Sequence, residues 1–359
     1  MSQLTILAER CIHQQVVGAD CQACVSACPR GAWHMHADGL GFDDAACDDC
    51  GLCVAACPTE TLELPAPAAK LHVDDRGGRA LLLACERAGV DDVEGVTPCL
   101  YALSPGWLLQ RCDALRAERI EMVPGPCSTC PRGASGVAWR AHWLAVSERL
   151  QGSGRTAPAL KPMPASAWPA RPSPNPEKTD VDRRRWFQRA AHAGPDAAPA
   201  ALAAHAPPLS SARRWTVDRL SATVGSRSST PLWSVALDRA RCTLCQACAT
   251  ICPTAALRFE PSSPTSGRDA FILDMRHCTG CGLCTAVCRD AALSAPQTAV
   301  GPSHEHTVPL TRHRCRACQV EFLQFSAAES ATSASGLCAI CQRGRAVQRN
   351  RLVQDHPPT

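Results

Sequence analysis

Residues 242–253 read CTLCQACATICP and residues 278–289 read CTGCGLCTAVCR, and these two cysteine groups decide how the sequence folds. Each group has the spacing C-x2-C-x2-C-x3-C, in which three thiolates bind one 4Fe-4S cluster and the fourth binds its neighbour. The spacing therefore predicts two crossed ligand sets. They are Cys242, Cys245, Cys248 and Cys288 for one 4Fe-4S cluster, and Cys252, Cys278, Cys281 and Cys284 for the other.

These eight cysteines resemble the ligands of the bacterial two-cluster ferredoxins. Two zinc knuckles or disulfides are the alternative, which is disfavoured because zinc needs only two cysteine pairs and no interleaved triplets. The sequence departs from the ferredoxins at Arg289, since proline is expected after the last cysteine, as Pro253 follows Cys252. The resemblance implies that residues 231–298 form a ferredoxin-like module with two 4Fe-4S clusters.

Residues 1–66 contain an altered copy of the same motif. Its second half has the full spacing, whereas in its first half nine residues separate Cys11 from Cys21. The crossed rule predicts one 4Fe-4S cluster on Cys11, Cys21, Cys24 and Cys57, and another on Cys28, Cys47, Cys50 and Cys53. If Cys11 does not reach its cluster, that cluster is a 3Fe-4S species or takes another ligand, of which His13 is the nearest.

The hydrophobic pattern changes in residues 67–150, which are predicted to form a small α/β domain with a parallel sheet. Short apolar runs at 80–84 and 120–123 are typical of buried strands. A helix is expected to begin at Ser104 and Pro105, with Cys112 as a core thiol on its apolar face. A second stripe at helical spacing consists of Trp139, Trp143, Val146 and Leu150.

Four further cysteines of this region are placed at strand ends or before a helix, where α/β folds gather ligands. They are Cys85, Cys99, Cys127 and Cys130. Their segments, LACERAG, TPCLYALSPGWLL and GPCSTCPRG, resemble the delta subunit of methanogen-type hydrogenases that feed electrons to heterodisulfide reductase. The resemblance implies a 2Fe-2S cluster, although Cys85 is single where that family tends to have a pair, and the last cysteine pair is narrower. An iron-sulfur centre of open nuclearity is therefore favoured over structural zinc.

Residues 151–230 are rich in proline, alanine, serine and arginine, which predicts a long disordered linker. Within it, residues 182–188 read DRRRWFQ and look like a twin-arginine export motif. Because the motif is internal and no apolar segment follows it, a short amphipathic docking helix is the preferred interpretation.

The tail, residues 299–359, contains two further cysteine pairs. Cys315, Cys318, Cys338 and Cys341 have the spacing C-x2-C-x19-C-x2-C, which is typical of a zinc ribbon. The same pattern resembles rubredoxin, which binds one iron. Zinc is favoured because few aromatic residues surround the four cysteines.

The composition limits the class of protein. Its 25 cysteines among 359 residues fall mostly in closely spaced groups, which indicates metal-dependent folding in a reducing compartment. No secretion signal or apolar run of about 20 residues is present, so we expect a cytoplasmic protein without a membrane span. A formal net charge of +4, one tyrosine and six phenylalanines give no sign of nucleic-acid binding.

These features predict an α+β protein with two dicluster modules, a small α/β domain between them, a linker and a zinc-ribbon tail. The sequence has no dinucleotide fingerprint, P-loop or organised nucleophile, so substrate chemistry is not indicated. Because 4Fe-4S clusters carry single electrons at low potential, we expect a relay between a dehydrogenase or hydrogenase and an acceptor protein. The alternative is an accessory, assembly or redox-sensing factor for a molybdenum or formate-dehydrogenase-type enzyme. A zinc-ribbon regulator would leave the four clusters unexplained.

Overall fold

The computed structural model describes residues 3–36, 39–152, 154–169, 211–221, 231–262, 269–298, 305–326 and 336–345. Among these residues, every helix is too short or too polar to cross a bilayer. The docking helix predicted at 182–188 lies outside the described residues.

The first module is a small α+β unit of two antiparallel strand pairs and short helices. Its strands are β1 (Thr5–Ile6), β2 (Trp33–His36), β3 (Gly39–Phe42) and β4 (Leu62–Glu63), of which β1 pairs with β4 and β2 with β3. Its helices are α1 (Ile12–Gln15), α2 (Ala23–Ala27) and α3 (Leu52–Ala56). Trp33 and Leu62 pack directly against the cysteines Cys24, Cys53 and Cys57, so the core of this module surrounds the ligand positions.

The following region forms a five-stranded sheet with two helices. The strands are β5 (Lys70–Val73), β6 (Arg79–Cys85), β7 (Val96–Thr97), β8 (Arg119–Val123) and β9 (Ala159–Pro162). The helices are α4 (Pro105–Leu115) and α5 (Gly136–Gly152). Strand β6 lies parallel to β7 and β8, and β8 lies parallel to β9, as predicted. The sheet is mixed, however, because a tight turn around Asp74 folds β5 back antiparallel to β6.

The predicted strands and helices of this region are confirmed. Ser104 caps α4 by accepting a hydrogen bond from the Trp107 backbone N–H at 3.2 Å. Cys112 is buried in the same core as Leu108, and burial raises the pKa of its thiol to about 12. The whole tryptophan stripe of α5 is buried against this core, at Trp139, Trp143, Val146 and Leu150.

Two parts of residues 151–230 are ordered, so the prediction of a disordered linker is wrong for them. Strand β9 extends the sheet beside β8, and the Trp168 ring lies 5.2 Å from the Lys70 ammonium. Helix α6 (Ala212–Ser221) packs on α4, where a Cβ on Gly106 would lie 2.5 Å from the Ala212 carbonyl oxygen. The proline and alanine composition does not indicate either element, because β9 depends on pairing with β8 and α6 on packing against α4, both distant in sequence.

The second module repeats the first and continues into the tail. Its strands are β10 (Trp233–Ser234), β11 (Leu257–Glu260), β12 (Asp269–Leu273) and β13 (Gln297–Thr298), and its helices are α7 (Ala247–Ile251) and α8 (Leu283–Val287). The tail adds strands β14 (His306–Arg314) and β15 (Glu321–Phe325). Because β14 pairs with β12, the four strands β11-β12-β14-β15 form one antiparallel sheet. Phe271, Val308 and Leu310 share its core, so the tail and the module fold together.

Candidate iron-sulfur and metal centres

In the second module, the structure brings together both predicted cysteine sets. A cavity of about 390 Å³ is lined by Cys242, Cys245, Cys248 and Cys288. Burial, together with the neighbouring thiolates of Cys242, Cys245 and Cys288, raises the pKa of Cys248 to about 12. Burial likewise raises the pKa of Cys284 to about 12, with added repulsion from Cys281, Cys278 and Cys252. Buried thiols that crowd each other in this way stay ionised only around a cationic core, such as the irons of a cluster.

Short helices explain how one motif serves two clusters. Cys248 lies within α7 and Cys252 is its C-cap, whereas Cys284 lies within α8 and Cys288 is its C-cap. The backbone leaves the helix at the C-cap in an extended conformation, so the C-cap thiol faces the other set. The first module has the same arrangement at α2 and α3, whose C-caps are Cys28 and Cys57.

Backbone N–H groups reach three of these C-cap sulfurs. The donors are the residues four positions later: Ala32 to Cys28 at 3.3 Å, Thr61 to Cys57 at 3.3 Å, and Ala292 to Cys288 at 3.2 Å. Such N–H···S hydrogen bonds stabilise thiolate charge and are one of the means by which proteins set cluster potentials.

The first module also brings its two predicted sets together. Burial, together with repulsion from the thiolates of Cys21 and Cys57, raises the pKa of Cys24 to about 12. The Cys11 thiolate likewise contributes to the raised pKa of Cys21, of which burial is the main cause. The second set lines one cavity and consists of Cys28, Cys47, Cys50 and Cys53. The His13 Nε2 lies 2.7 Å from the backbone carbonyl oxygen of Cys21, which is itself a predicted ligand. The Cys11 thiolate acts on the Cys21 thiol, so Cys11 lies near the first set and stays its predicted ligand.

The third group of cysteines lies at the end of the five-stranded sheet, as the sequence predicts. Cys85 ends β6, Cys99 precedes the short 3-10 helix Leu100–Ala102, and the last two follow β8. One cavity is lined by all four, Cys85, Cys99, Cys127 and Cys130. The Arg87 guanidinium donates to the Cys130 sulfur at 3.6 Å, so a positive charge is available to a thiolate at this site.

The tail cysteines form a tighter group. The sulfurs of Cys315, Cys318, Cys338 and Cys341 all lie within 4.8 Å of one another. Backbone N–H groups of Cys318 and Cys338 lower the pKa of the Cys315 thiol to about 6, which favours the thiolate that a metal requires. Within the described residues, this is the one group of three or more potential ligands with so short a spacing. The geometry fits a single ion held by four thiolates.

Arg132 joins the third group to the first module, a contact that no sequence motif indicates. Only 6% of its surface is exposed, and it donates to Asp48 at 2.7 Å, to Glu86 at 2.7 Å and to the Pro98 carbonyl oxygen at 2.8 Å. Burial alone would raise the pKa of Asp48, but Arg132 lowers it below its usual range. Asp48 lies between two predicted ligands, so the arginine fixes the ligand loop of the first module against the sheet.

Comparisons with known families agree with the cysteine sets of both modules. Residues 241–292 and residues 19–62 each match a family described as a 4Fe-4S dicluster domain. The first match contains all eight cysteines of its module, and the second contains all but Cys11. No curated protein is similar enough to the chain to count as a match. The chain therefore contains two ferredoxin-type dicluster domains, which confirms the predicted repeat and the 4Fe-4S clusters as cofactors.

Proposed function

We propose that this protein relays low-potential electrons between a donor enzyme, a dehydrogenase or hydrogenase, and an acceptor protein. The observation that carries the proposal is the packing of cysteine sets against one another. Cys50 of the first module and Cys99 of the third group belong to one apolar cluster with Leu52. Cys21 of the first module and Cys281 of the second border another apolar cluster. Electron transfer falls off steeply with distance, so a continuous row of centres is the arrangement that conduction requires.

The packing gives the proposed centres an order. The third group adjoins the first-module set that contains Cys50, and the other first-module set adjoins the second-module set that contains Cys281. The two sets within each module also adjoin, since Cys24, Cys53 and Cys57 share the core of the first module and the Cys248 thiolate acts on Cys284 in the second. Five centres would thus form one series from the sheet to the tail.

The spacing of the sulfurs supports different groups at the two remaining sites. A single zinc ion needs four ligand atoms about 2.3 Å from the metal. The four tail sulfurs lie within 4.8 Å of one another, which is close enough for all of them to bind one ion. The third group lines a cavity without such a close set among the described residues, which favours a cluster of several irons. We therefore propose iron-sulfur for the third group and structural zinc for the tail.

Metal content is the first measurable consequence. Protein purified anaerobically is expected to contain about 16 iron and 16 sulfide in four cubes, with about two more of each for a binuclear third centre. It should also hold about one zinc. The double substitution Cys318→Ser and Cys341→Ser should remove the zinc and leave iron unchanged. A content near eight iron in fully loaded protein would contradict four cubes.

The relay itself is tested with protein isolated together with its bound partners. Adding the donor's substrate, hydrogen or formate, should bleach the cluster absorption, and the oxidised acceptor should restore it in the same sample. Stopped-flow spectroscopy measures both steps. If dithionite reduces the clusters but neither substrate does, the relay is wrong and the accessory function in enzyme assembly is favoured.

A further inference from the structure

The two dicluster modules touch through an element that only the first module has. Helix α1 lies in the nine residues that separate Cys11 from Cys21. Its Ile12 and the following Val16 are buried against Leu283 of α8, with Ile251 and Val287 beside them. The enlarged spacing in the first motif therefore builds an apolar contact with the second module.

Arg213 of α6 links the ligand loops of the two modules. Its backbone N–H donates to the Glu60 carboxylate at 3.1 Å, and its guanidinium donates to the Thr279 carbonyl oxygen at 3.2 Å. Glu60 follows Cys57 by three residues, and Thr279 follows Cys278 directly. The guanidinium charge interacts with the Glu60 carboxylate and with the thiolates of both Cys57 and Cys281. One positive charge is thus shared by a ligand of each module.

The surroundings of Arg213 hold it in this position. Its guanidinium lies 5.4 Å from the centre of the Trp233 ring, a cation–π contact. Gly280 has a φ of +68°, and a Cβ there would lie 2.6 Å from the same ring, so only glycine lets the ligand loop approach Trp233. Burial and Arg213 lower the pKa of the adjacent His142 to about 4, so this histidine is neutral at pH 7.

We propose that electrons cross directly between the modules at this contact, and that Arg213 is the positioning residue for the step. The junction clusters are those of the sets that contain Cys57 and Cys281, and the inference rests on the proposed relay. One electron leaves the reduced cluster of one module and enters the oxidised cluster of the other, without bond cleavage or proton transfer. The fixed positive charge stabilises the reduced, more negative state on both sides and so raises both potentials.

Potentiometric titration monitored by electron paramagnetic resonance tests the charge. Arg213→Gln should lower the potentials of both junction clusters, by roughly tenfold in each reduction equilibrium, or about 59 mV for one electron. The two outer cubes should keep their potentials. Arg213→Lys retains the charge and should keep both potentials close to their wild-type values, which a purely structural role would not predict.

Arg214→Gln is the matched control. Arg214 is the next residue of α6, and its replacement by glutamine removes the same charge. Its guanidinium, however, pairs with Asp218 of the same helix at 2.9 Å. It should leave the four potentials unchanged. Equal shifts in Arg214→Gln, or no shift of the junction clusters in Arg213→Gln, would overturn the inference.

Freeze-quench spectroscopy of donor-driven reduction tests the crossing. In Arg213→Gln the first-module cluster of the Cys50 set should be reduced at the wild-type rate. The second-module clusters should follow at least about tenfold more slowly, because the Thr279 loop loses the hydrogen bond that holds it at the contact. Simultaneous reduction of both modules in this variant would overturn the direct step. If the donor does not reduce the wild-type protein, the proposed relay is wrong. The potentiometric titration does not depend on the donor, so it still tests whether Arg213 raises the potentials of the junction clusters.

Discussion

Replacement of Cys252 by serine is expected to destroy the cluster built on Cys278, Cys281 and Cys284, although Cys252 belongs to the other motif in the sequence. The structure places the Cys252 sulfur among these three, where it raises the pKa of each one. A serine oxygen binds iron less well than a thiolate, so the variant should lose about four iron, or about one if a 3Fe-4S species remains. Iron analysis and electron paramagnetic resonance measure the loss.

The reciprocal variant is the control for this prediction. Cys288→Ser occupies the equivalent C-cap and should damage the cluster of Cys242, Cys245 and Cys248 instead. Each variant should leave the signal of the other cluster in place. If Cys252→Ser perturbs only the cluster of Cys242, Cys245 and Cys248, ligation is not crossed.

The structure brings together the cysteines that the spacing in the two modules groups as ligand sets, because local geometry determines their positions. A C-x2-C-x2-C-x3-C run ends in one helical turn and its C-cap, so spacing alone decides which thiols face one cluster. The buried strand at 80–84 could also be predicted from the sequence, since it is apolar throughout and forms the fully buried centre of β6. In both cases the signal lies within a few consecutive residues.

The contacts between regions could not be predicted in the same way. Helix α6 has a polar composition, and its role depends on a single arginine that meets loops of both modules. Strand β14 pairs with β12, yet nothing in the sequence of either strand specifies this partner. Such pairings arise from the sum of distant contacts, for which a single sequence carries no periodic signal.

The antiparallel position of β5 in the sheet likewise could not be predicted from the sequence of a single strand. The run 80–84 indicated a strand but not the direction of its neighbours, which depends on the length of each connection. The short turn at Asp74 brings β5 back antiparallel, whereas α4 carries the chain across to a parallel β8. The prediction of a parallel sheet is therefore correct for β6 and β8, where the third cysteine group lies, and does not hold at the β5 edge.

The double substitution Cys127→Ala and Cys130→Ala is expected to abolish reduction of the protein by its donor. These cysteines follow β8 and are half-buried, whereas Cys85 and Cys99 are buried, so they form the outer side of the third group. Loss of two ligands should empty this centre without disturbing the four cubes. Dithionite, a small reductant, should still reduce the cubes, while turnover of the donor with hydrogen or formate should not.

Cys112→Ala provides a control from the same region of the chain. It removes a buried thiol that lies in the apolar core and in none of the proposed sets. This variant should take up electrons from the donor at the wild-type rate, even if its free energy of unfolding falls by about 1 kcal/mol or more. Equal loss of uptake in both variants would mean that damage to the fold, and not loss of the centre, stops the donor.

The cofactor content of the partner enzyme distinguishes an electron relay from a role in enzyme assembly. If the third centre takes electrons from the donor, the double variant should block uptake while the partner enzyme, isolated from the same cells, keeps its full cofactor content. Arg132 connects this centre to the next set through Asp48, so an electron arriving there has a direct neighbour in the series. Normal uptake by the double variant together with a cofactor-deficient partner enzyme would overturn the relay, because the centre would then act in assembly.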